Sequence, residues 1–397
     1  MAKRKNLNIA LIGQGFMGRT HSNGWSQVRK FFTPQLEPVM HTVFGQVEEK
    51  PQLFADKWGW QNISTDWKEL VKSDEIDLVD IVTPNFMHAP VAIEALEAGK
   101  NVSCEKPISH TLKQAREMAQ LAKKKRAKTF VWYNYRRCPA VALAHQLVQA
   151  GKIGTIRHVR AYYRQDWAGP DVPLLWRFDK KKAGSGSLGD LAAHVVDMTR
   201  FITGTEITRI DGAILDTFIK ERTLMEGVAA GGIAAGQKKA SKGKGKVTVD
   251  DAALFLCHFA GGAVGNFEAT RFATGRQNQN GCEINGEKGS IRFDFERMNE
   301  LEYYDATADR NVQGWTTIMC THGGDHPYTE AWWPDAHILG YEHSFTNQAS
   351  DIISVLAGKK PVVPLPDFND AYQTQRVLEA VEISAKNRCP VPLSKVK

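Results

Sequence analysis

The sequence predicts an α/β protein in two parts: an N-terminal doubly wound parallel sheet, followed by an α+β domain with a large, mostly antiparallel open sheet. Three observations carry this. Short apolar runs alternate with amphipathic helical segments through about residue 135. A glycine-rich turn closes the first apolar run. From Cys138 onward, strand-like segments follow one another with short turns such as Ala260, Gly261 and Gly262.

The first part reads in order as follows. Residues 7–12 are a short apolar run of the kind a buried parallel strand needs. A helix over 16–32 ends before Pro34 and Pro38, and 39–44 is the next strand. Residues 48–58 are helical and closed by Gly59. A short helix over 65–71 has Thr65 as N-cap and Asp66 in its first turn. The strand 78–82 precedes a helix over 89–98 stopped by Gly99. Strand 101–104, helix 112–127 and strand 129–133 complete the alternation, which argues for a sheet covered on both faces.

The second part opens with a helix over 139–150 closed by Gly151, a strand over 156–164 and a helix over 189–202. Strands follow over 207–218, 252–259, 263–271, 282–285, 290–295 and 300–304. Residues 227–246, rich in Gly, Ala and Lys, read as a mobile surface loop or hairpin tip. A connector over 356–366 leads to a final helix over 371–387. The chain thus divides into a domain over 1–137 and a second over 138–397.

Composition excludes several classes. The chain has 397 residues, 42% hydrophobic and 24% charged, ordinary values for a folded protein of two or three domains. No apolar run approaches the roughly 18 residues of a membrane span. The net charge of +7 comes from 51 basic and 44 acidic residues. Much of it lies in short lysine-rich runs that read as solvated helix ends and loops, not as a nucleic-acid surface. The six cysteines are scattered without a CxxC pair, which points to a reducing, cytoplasmic setting. The basic start followed by a short apolar run resembles a leader, but no small-residue cleavage site follows Gly13.

Gly13, Gln14, Gly15, Phe16, Met17 and Gly18 fit GxGxxG between a strand and a helix. The first glycine permits the tight turn, the second lets backbone approach a pyrophosphate, and the third allows close helix–strand packing. Unpaired N–H groups at the helix start favour phosphate. In this context the motif predicts a dinucleotide-binding Rossmann domain. The second strand ends on Gly45 and Gln46, with neither an acidic residue for a ribose hydroxyl nor an arginine for a 2′-phosphate. NAD is the expected cofactor, and NADP stays open.

Each later strand ends in a distinctive motif. Thr83, Pro84, Asn85, Phe86, Met87 and His88 follow one; Glu105, Lys106 and Pro107 the next; Tyr133, Asn134, Tyr135, Arg136 and Arg137 the last. Further on, Gly184 to Asp197 reads GSGSLGDLAAHVVD. This order of motifs resembles the Gfo/Idh/MocA family (glucose–fructose oxidoreductase and inositol dehydrogenase) over nearly the whole chain. Trp132 to Arg137, the pair Trp176 and Arg177, and a late segment from His326 to His343 look like the family's bacterial dehydrogenases that act on pyranose rings.

The resemblance implies an NAD(P)-dependent dehydrogenase of a sugar, anhydrosugar, glycoside or cyclitol, working as a homodimer or homotetramer through the C-terminal sheet. It maps catalytic roles onto Lys106, Asp190 and His194. Oxidising a secondary alcohol requires a base for the hydroxyl proton, and His194 is the natural choice. Lys106 can bond the reacting oxygen. Asp190 lies four residues before His194, on one face of a regular helix, where it either meets the substrate or orients the histidine. Cofactor contacts fall on Gly13, Gln14, Gly15, Phe16, Met17, Gly45, Thr83, Pro84, Asn85, His88, Glu105, Lys106, Asn134, Trp176 and Arg177. Substrate contacts fall on Tyr133, Asp166, Trp167 and His326. The aromatic- and histidine-rich stretch 322–343 suits a sugar ring. His322 and His326 are spaced for a metal, but a polar loop explains them better, so no metal is expected.

Two other functions fit less well. One is glycoside hydrolysis through a transient ketone with NAD regenerated in each cycle. The other is a non-catalytic dinucleotide-binding regulator, against which Lys106, Asp190 and His194 all argue.

Overall fold

The computed structural model describes residues 4–225 and 240–397. Its first half is a six-stranded, all-parallel sheet: β1 (Asn6–Ile12), β2 (Glu37–Phe44), β3 (Asn62–Ser64), β4 (Leu78–Ile81), β5 (Asn101–Cys104) and β6 (Thr129–Val131), in the order β3-β2-β1-β4-β5-β6. Between them run α1 (Phe16–Phe31), α2 (Pro51–Trp58), α3 (Trp67–Lys72), α4 (His88–Glu97) and α5 (Leu112–Lys125). Strand order reverses between β1 and β4, which opens a crevice at their carboxyl ends.

Most of the expected elements are present, with local differences. Asp66, not Thr65, caps α3: its carboxylate accepts the N–H groups of Lys68 and Glu69, a stronger interaction than a hydroxyl gives. The helix expected from residue 48 starts instead at Pro51, because Lys50 at φ 52° ends a short 3₁₀ turn over Val47–Glu49. Strand β3 is too short to show periodicity and was not anticipated.

The second half contains α6 (Pro139–Gln149), β7 (Ile156–Arg164), α7 (Lys180–Ala183) and α8 (Ala193–Thr203). Then come β8 (Ile207–Asp216), β9 (Glu221–Met225), β10 (Ala240–Lys246), β11 (Ala252–Phe259) and β12 (Val264–Thr270). The chain ends with β13 (Gln279–Gly286), β14 (Gly289–Asp294), β15 (Glu300–Asp305), β16 (Trp315–Met319), α9 (Tyr341–Leu356), α10 (Phe368–Asn387) and β17 (Val391–Pro392). Nine strands form one sheet in the order β16-β15-β14-β13-β7-β12-β11-β8-β17. Only β7 and β12 pair in parallel; the other pairs are antiparallel. Of the lysine-rich stretch expected as a mobile loop or hairpin tip, 240–246 is β10, paired with β9, and 226–239 lie outside the described residues.

Three features draw the two halves together. Phe345, Ala349, Ile352 and Ile353 of α9 join the same core as Ile9, Leu11, Trp25 and Val28. The Val131 N–H donates to Pro366 O, so the late connector runs along the edge strand β6. Arg136 is buried and holds Asp197 and Asp370, and Arg200 also holds Asp370. The chain over 341–368 thus crosses back onto the parallel sheet, which a division at residue 137 does not capture.

Candidate active site

The phosphate loop has the expected division of labour among its glycines. Gly13 sits at φ 118° with Val82 O only 3.1 Å from where a Cβ would stand. Gly15 faces open space, leaving its backbone free to approach a ligand. A Cβ on Gly18 would stand 2.8 Å from Gly13 O, so helix and turn need that hydrogen. At the end of β2, a Cβ on Gly45 would fall 1.6 Å from Gln14 Nε2. That nitrogen and the Thr83 hydroxyl are buried without a protein partner. An open glycine cradle at a helix N-terminus, with two orphaned polar groups on its rim, fits a dinucleotide. Phe16 stacks with Tyr341 at 6.5 Å beside it.

Several residues expected to face the cofactor have other tasks. Both ring nitrogens of buried His88 meet backbone oxygens, of Pro107 and Thr83, each at 2.9 Å. Asn85 donates to Ala183 O and Asn134 to Ser344 Oγ, each at 2.9 Å. Glu105 takes the Lys106 N–H at 3.1 Å and faces His21. Their polar atoms tie neighbouring loops together, because a strand end buried under a second domain must satisfy its own backbone groups. Trp176 stacks under Arg177 at 4.6 Å, and Arg177 points to Asp190.

Lys106 and Asp190 do meet. The Lys106 ammonium donates to Asp190 O at 2.8 Å and to its Oδ1 at 3.1 Å. Arg177 reaches Oδ1 at 3.3 Å, and Arg271 grips Oδ2 through Nη2 at 2.9 Å and Nε at 3.2 Å. Burial alone would raise the Asp190 carboxyl, but the charges of Lys106, Arg271 and Arg177 hold it well below the usual carboxylate range. Asp190 is therefore an anion shared by three cations, and no hydrogen bond joins it to His194. The expected regular helix explains the difference: residues Leu188–Ala192 form a π turn ahead of α8. The turn changes the angle between Asp190 and His194 from that of an unbroken helix.

His194 is buried among three tyrosines, Tyr135 at 4.7 Å, Tyr163 at 5.8 Å and Tyr133 at 6.2 Å between ring centres. Its Nδ1 has no partner among the described residues. Burial, and then the positive charge of Lys106, push its pKa well below the ordinary histidine value, so the ring is neutral. Tyr163, Gln165 and Trp167 alternate onto one side of β7 and its extension. The Tyr163 hydroxyl meets Tyr135 Oη at 2.6 Å and donates to Asn278 Oδ1 at 2.8 Å. Gln165 donates to Asn278 Oδ1 at 2.7 Å and accepts from Trp167 at 2.9 Å. Trp167 lies under Arg271 at 5.3 Å.

Two expected substrate contacts fall elsewhere. Asp166, one residue out of this alternation, accepts the Gly275 N–H at 3.1 Å. His326 is held within its own loop, taking the His322 N–H at 3.2 Å. Its neighbours Trp332 and Trp333 pack on Phe31 at the far end of α1, at 4.3 and 5.2 Å; Trp332 is buried there and Trp333 exposed. Among the described residues no group of three or more His, Cys, Asp or Glu side chains could hold a metal.

Sequence reasoning missed Arg271, which belongs to no motif, and the buried group of His21, Asp80 and Glu105. Asp80 did carry a signal: it is a charged residue inside an otherwise apolar strand, Leu78–Ile81, that is buried throughout.

Comparison with known proteins agrees with this geometry. Residues 7–133 match an oxidoreductase family with an NAD-binding Rossmann fold, and residues 141–292 match the GFO/IDH/MocA C-terminal domain. The chain is 41% identical over 387 residues to the levoglucosan dehydrogenase of Pseudarthrobacter phenanthrenivorans, covering 96% of each. It superposes with TM-score 0.90 on an oxidoreductase domain protein from Kribbella flavida, 48% identical, covering 98% of this chain and 99% of the other. With TM-score 0.89 and 38% identity, over 98% and 99% of the two chains, it matches levoglucosan dehydrogenase in complex with NADH and levoglucosan.

Proposed function

We propose a specific reaction for this chain, which belongs to the Gfo/Idh/MocA family of NAD-binding oxidoreductases: removal of hydride from a secondary hydroxyl of an anhydrosugar of the levoglucosan type. Membership makes the chain an NAD-dependent sugar oxidoreductase. The substrate and the role of each residue are the proposal. The observation that carries it is the placement of Lys106, anchored on Asp190, beside a neutral His194 at the mouth of the parallel sheet.

A nicotinamide dinucleotide held by Gly13, Gln14, Gly15 and the start of α1 supplies the hydride acceptor. The protein's own groups handle the proton. The Lys106 ammonium bonds the reacting oxygen and stabilises its developing negative charge. Neutral His194 takes the hydroxyl proton. Asp190 aims Lys106, with Arg271 and Arg177 fixing the carboxylate in turn. Tyr163, Gln165 and Trp167 offer the wall for the remaining hydroxyls.

The outer face of the large sheet exposes Ile214, Leu254, Leu256 and Val264, which supports a homo-oligomer built on it. None of the described helices is long and apolar enough to cross a membrane. Six unpaired cysteines, five of them buried, support a cytoplasmic location. The reaction is tested by following reduced nicotinamide with levoglucosan and a panel of other anhydrosugars, sugars and cyclitols. Turnover on levoglucosan with NAD is expected. Absence of turnover with NAD and NADP across the whole panel refutes the proposal.

A further inference from the structure

Beneath Lys106 lies a group of buried charges that the reaction above does not use. His21, on α1 just after the phosphate loop, is fully buried between two carboxylates. Its Nδ1 is 2.9 Å from Asp80 Oδ2, and its Nε2 is 3.0 Å from Glu105 Oε1. Asp80 also receives Trp25 Nε1 at 2.8 Å, Trp132 Nε1 at 2.9 Å and Ser103 Oγ at 2.7 Å. An indole N–H is a donor only, and each Asp80 oxygen takes one. Four donors converging on one carboxylate require it to be ionised.

The protonation of His21 follows from this arrangement. Its Nδ1 donates to Asp80, which leaves Nε2 facing a second carboxylate oxygen. A lone pair on Nε2 would face a carboxylate charge at 3.0 Å with no water to screen it, unlike the uncharged carbonyls that flank His88, so a proton lies between them. Trp132 covers the imidazole at 4.1 Å and favours its cationic form. Burial lowers the pKa of His21, but Asp80 and Glu105 together outweigh it and raise the value to about 9.

The other oxygen of Glu105 accepts the backbone N–H of Lys106 at 3.1 Å. An unbroken chain of charge-assisted bonds thus runs from Asp80 on β4, through His21 on α1, to the peptide that carries the reacting ammonium. The same turn is held from its other side by His88, which meets Pro107 O at 2.9 Å.

We propose that His21 is a positioning residue: as a buried imidazolium it locks Glu105 against the Lys106 N–H and so fixes the phosphate-loop helix and the Lys106 ammonium at a set spacing. The inference rests on the reading of Lys106 as the group at the reacting oxygen. Its consequence is that the hydride acceptor bound on α1 and the lysine at the end of β5 move as one body. Loss of the His21 proton turns two lone pairs toward each other and releases Glu105. The other titratable groups around Glu105 do not provide that proton. The Cys104 thiol is pushed up by burial, the Tyr341 phenol likewise, and His88 is pushed down to its neutral form. Arg177 and Lys106 are cations whose charges act on the Asp190 side.

The test compares His21→Gln, Glu105→Gln and the double variant with the parent chain, using NAD and levoglucosan. Each single variant should lose roughly 10- to 100-fold in kcat, the scale of a misplaced reacting group. KM for the sugar and Kd for NADH should stay within about threefold. The double variant should lose no more than the worse single, because both break one chain. Parent kcat should decline above about pH 9 as His21 loses its proton, and His21→Gln should lack that decline. A loss under tenfold in a folded single variant, or losses that multiply, overturns the proposal. A second measurement needs no variant: a nitrogen-15 histidine spectrum of the parent chain with NADH at pH 8. One slowly exchanging imidazole with both nitrogens protonated is expected, and its absence overturns the proposal. If the parent oxidises no sugar, the proposed reaction fails, while this spectrum still decides the state of His21.

Discussion

Asp190→Asn separates two roles for that residue, anchoring Lys106 or orienting His194. The substitution keeps shape and removes one negative charge. In the structure that charge lies 3.1 Å from Lys106, 2.9 Å from Arg271 and 3.3 Å from Arg177. At an effective dielectric of about 20, a pair at about 3 Å is worth roughly 5 kcal/mol. Part of the three-pair total only offsets mutual repulsion among the cations. The variant keeps three buried cations with no anion between them. Breaking such an arrangement costs about 3–5 kcal/mol of stability, which lowers the melting temperature by roughly 5 °C or more.

The catalytic consequence follows from the same charges. Arg271 and Arg177, no longer neutralised, repel the Lys106 ammonium and displace it from the reacting oxygen. In the assay, kcat/KM for levoglucosan and NAD should fall about 1,000-fold, equivalent to roughly 4 kcal/mol of transition-state stabilisation. Binding of NADH, read by fluorescence, should change little, since Asp190 does not touch the phosphate loop. Two results refute the reasoning. One is activity within tenfold of the parent. The other is a change confined to the acid side, which would mean that Asp190 works through His194.

Two further outcomes follow from the same geometry. Because burial and Lys106 hold His194 well below the ordinary value of 6.5, the neutral base persists below that pH, and kcat/KM should show no acid limb near 6.5. The sign for stability is consistent: the unfolded chain takes up a proton as pH falls through 6.5 and the native ring refuses it, so denaturant melts should show stability decreasing with acidification. Gly45→Ala places a methyl 1.6 Å from Gln14 Nε2 and must displace that side chain, so NADH affinity should weaken by roughly tenfold with little change in melting temperature, measured by fluorescence titration.

Which residues were legible in the sequence depended on how local their physics is. The phosphate loop could be read because each of its glycines answers a backbone requirement within a few residues: the turn at Gly13, the open approach at Gly15 and the close packing at Gly18. Lys106, Asp190 and His194 stood out through the order of motifs and the family that order resembles. The alternation of apolar and polar residues over β7 and β11 gave those strands their limits, because one face of each is buried. Helix α9 was hidden, since its buried face reads as a polar and aromatic stretch until it meets α1.

What the sequence determined by itself is the parallel sheet and the dinucleotide loop, and it singled out the residues proposed to react. Tertiary structure alone decided how those residues are wired. Arg271 comes from the end of β12 and reaches Asp190 only when the nine-stranded sheet packs against the turn ahead of α8. Asp190 turns to Lys106 because a π turn interrupts the helix that spacing would extend. His88, Asn85 and Glu105 spend their hydrogen bonds on neighbouring loops, and His326 on its own. The common reason is that a buried polar group must find a partner, and which partner stands within 3 Å is settled by packing between segments far apart in the chain.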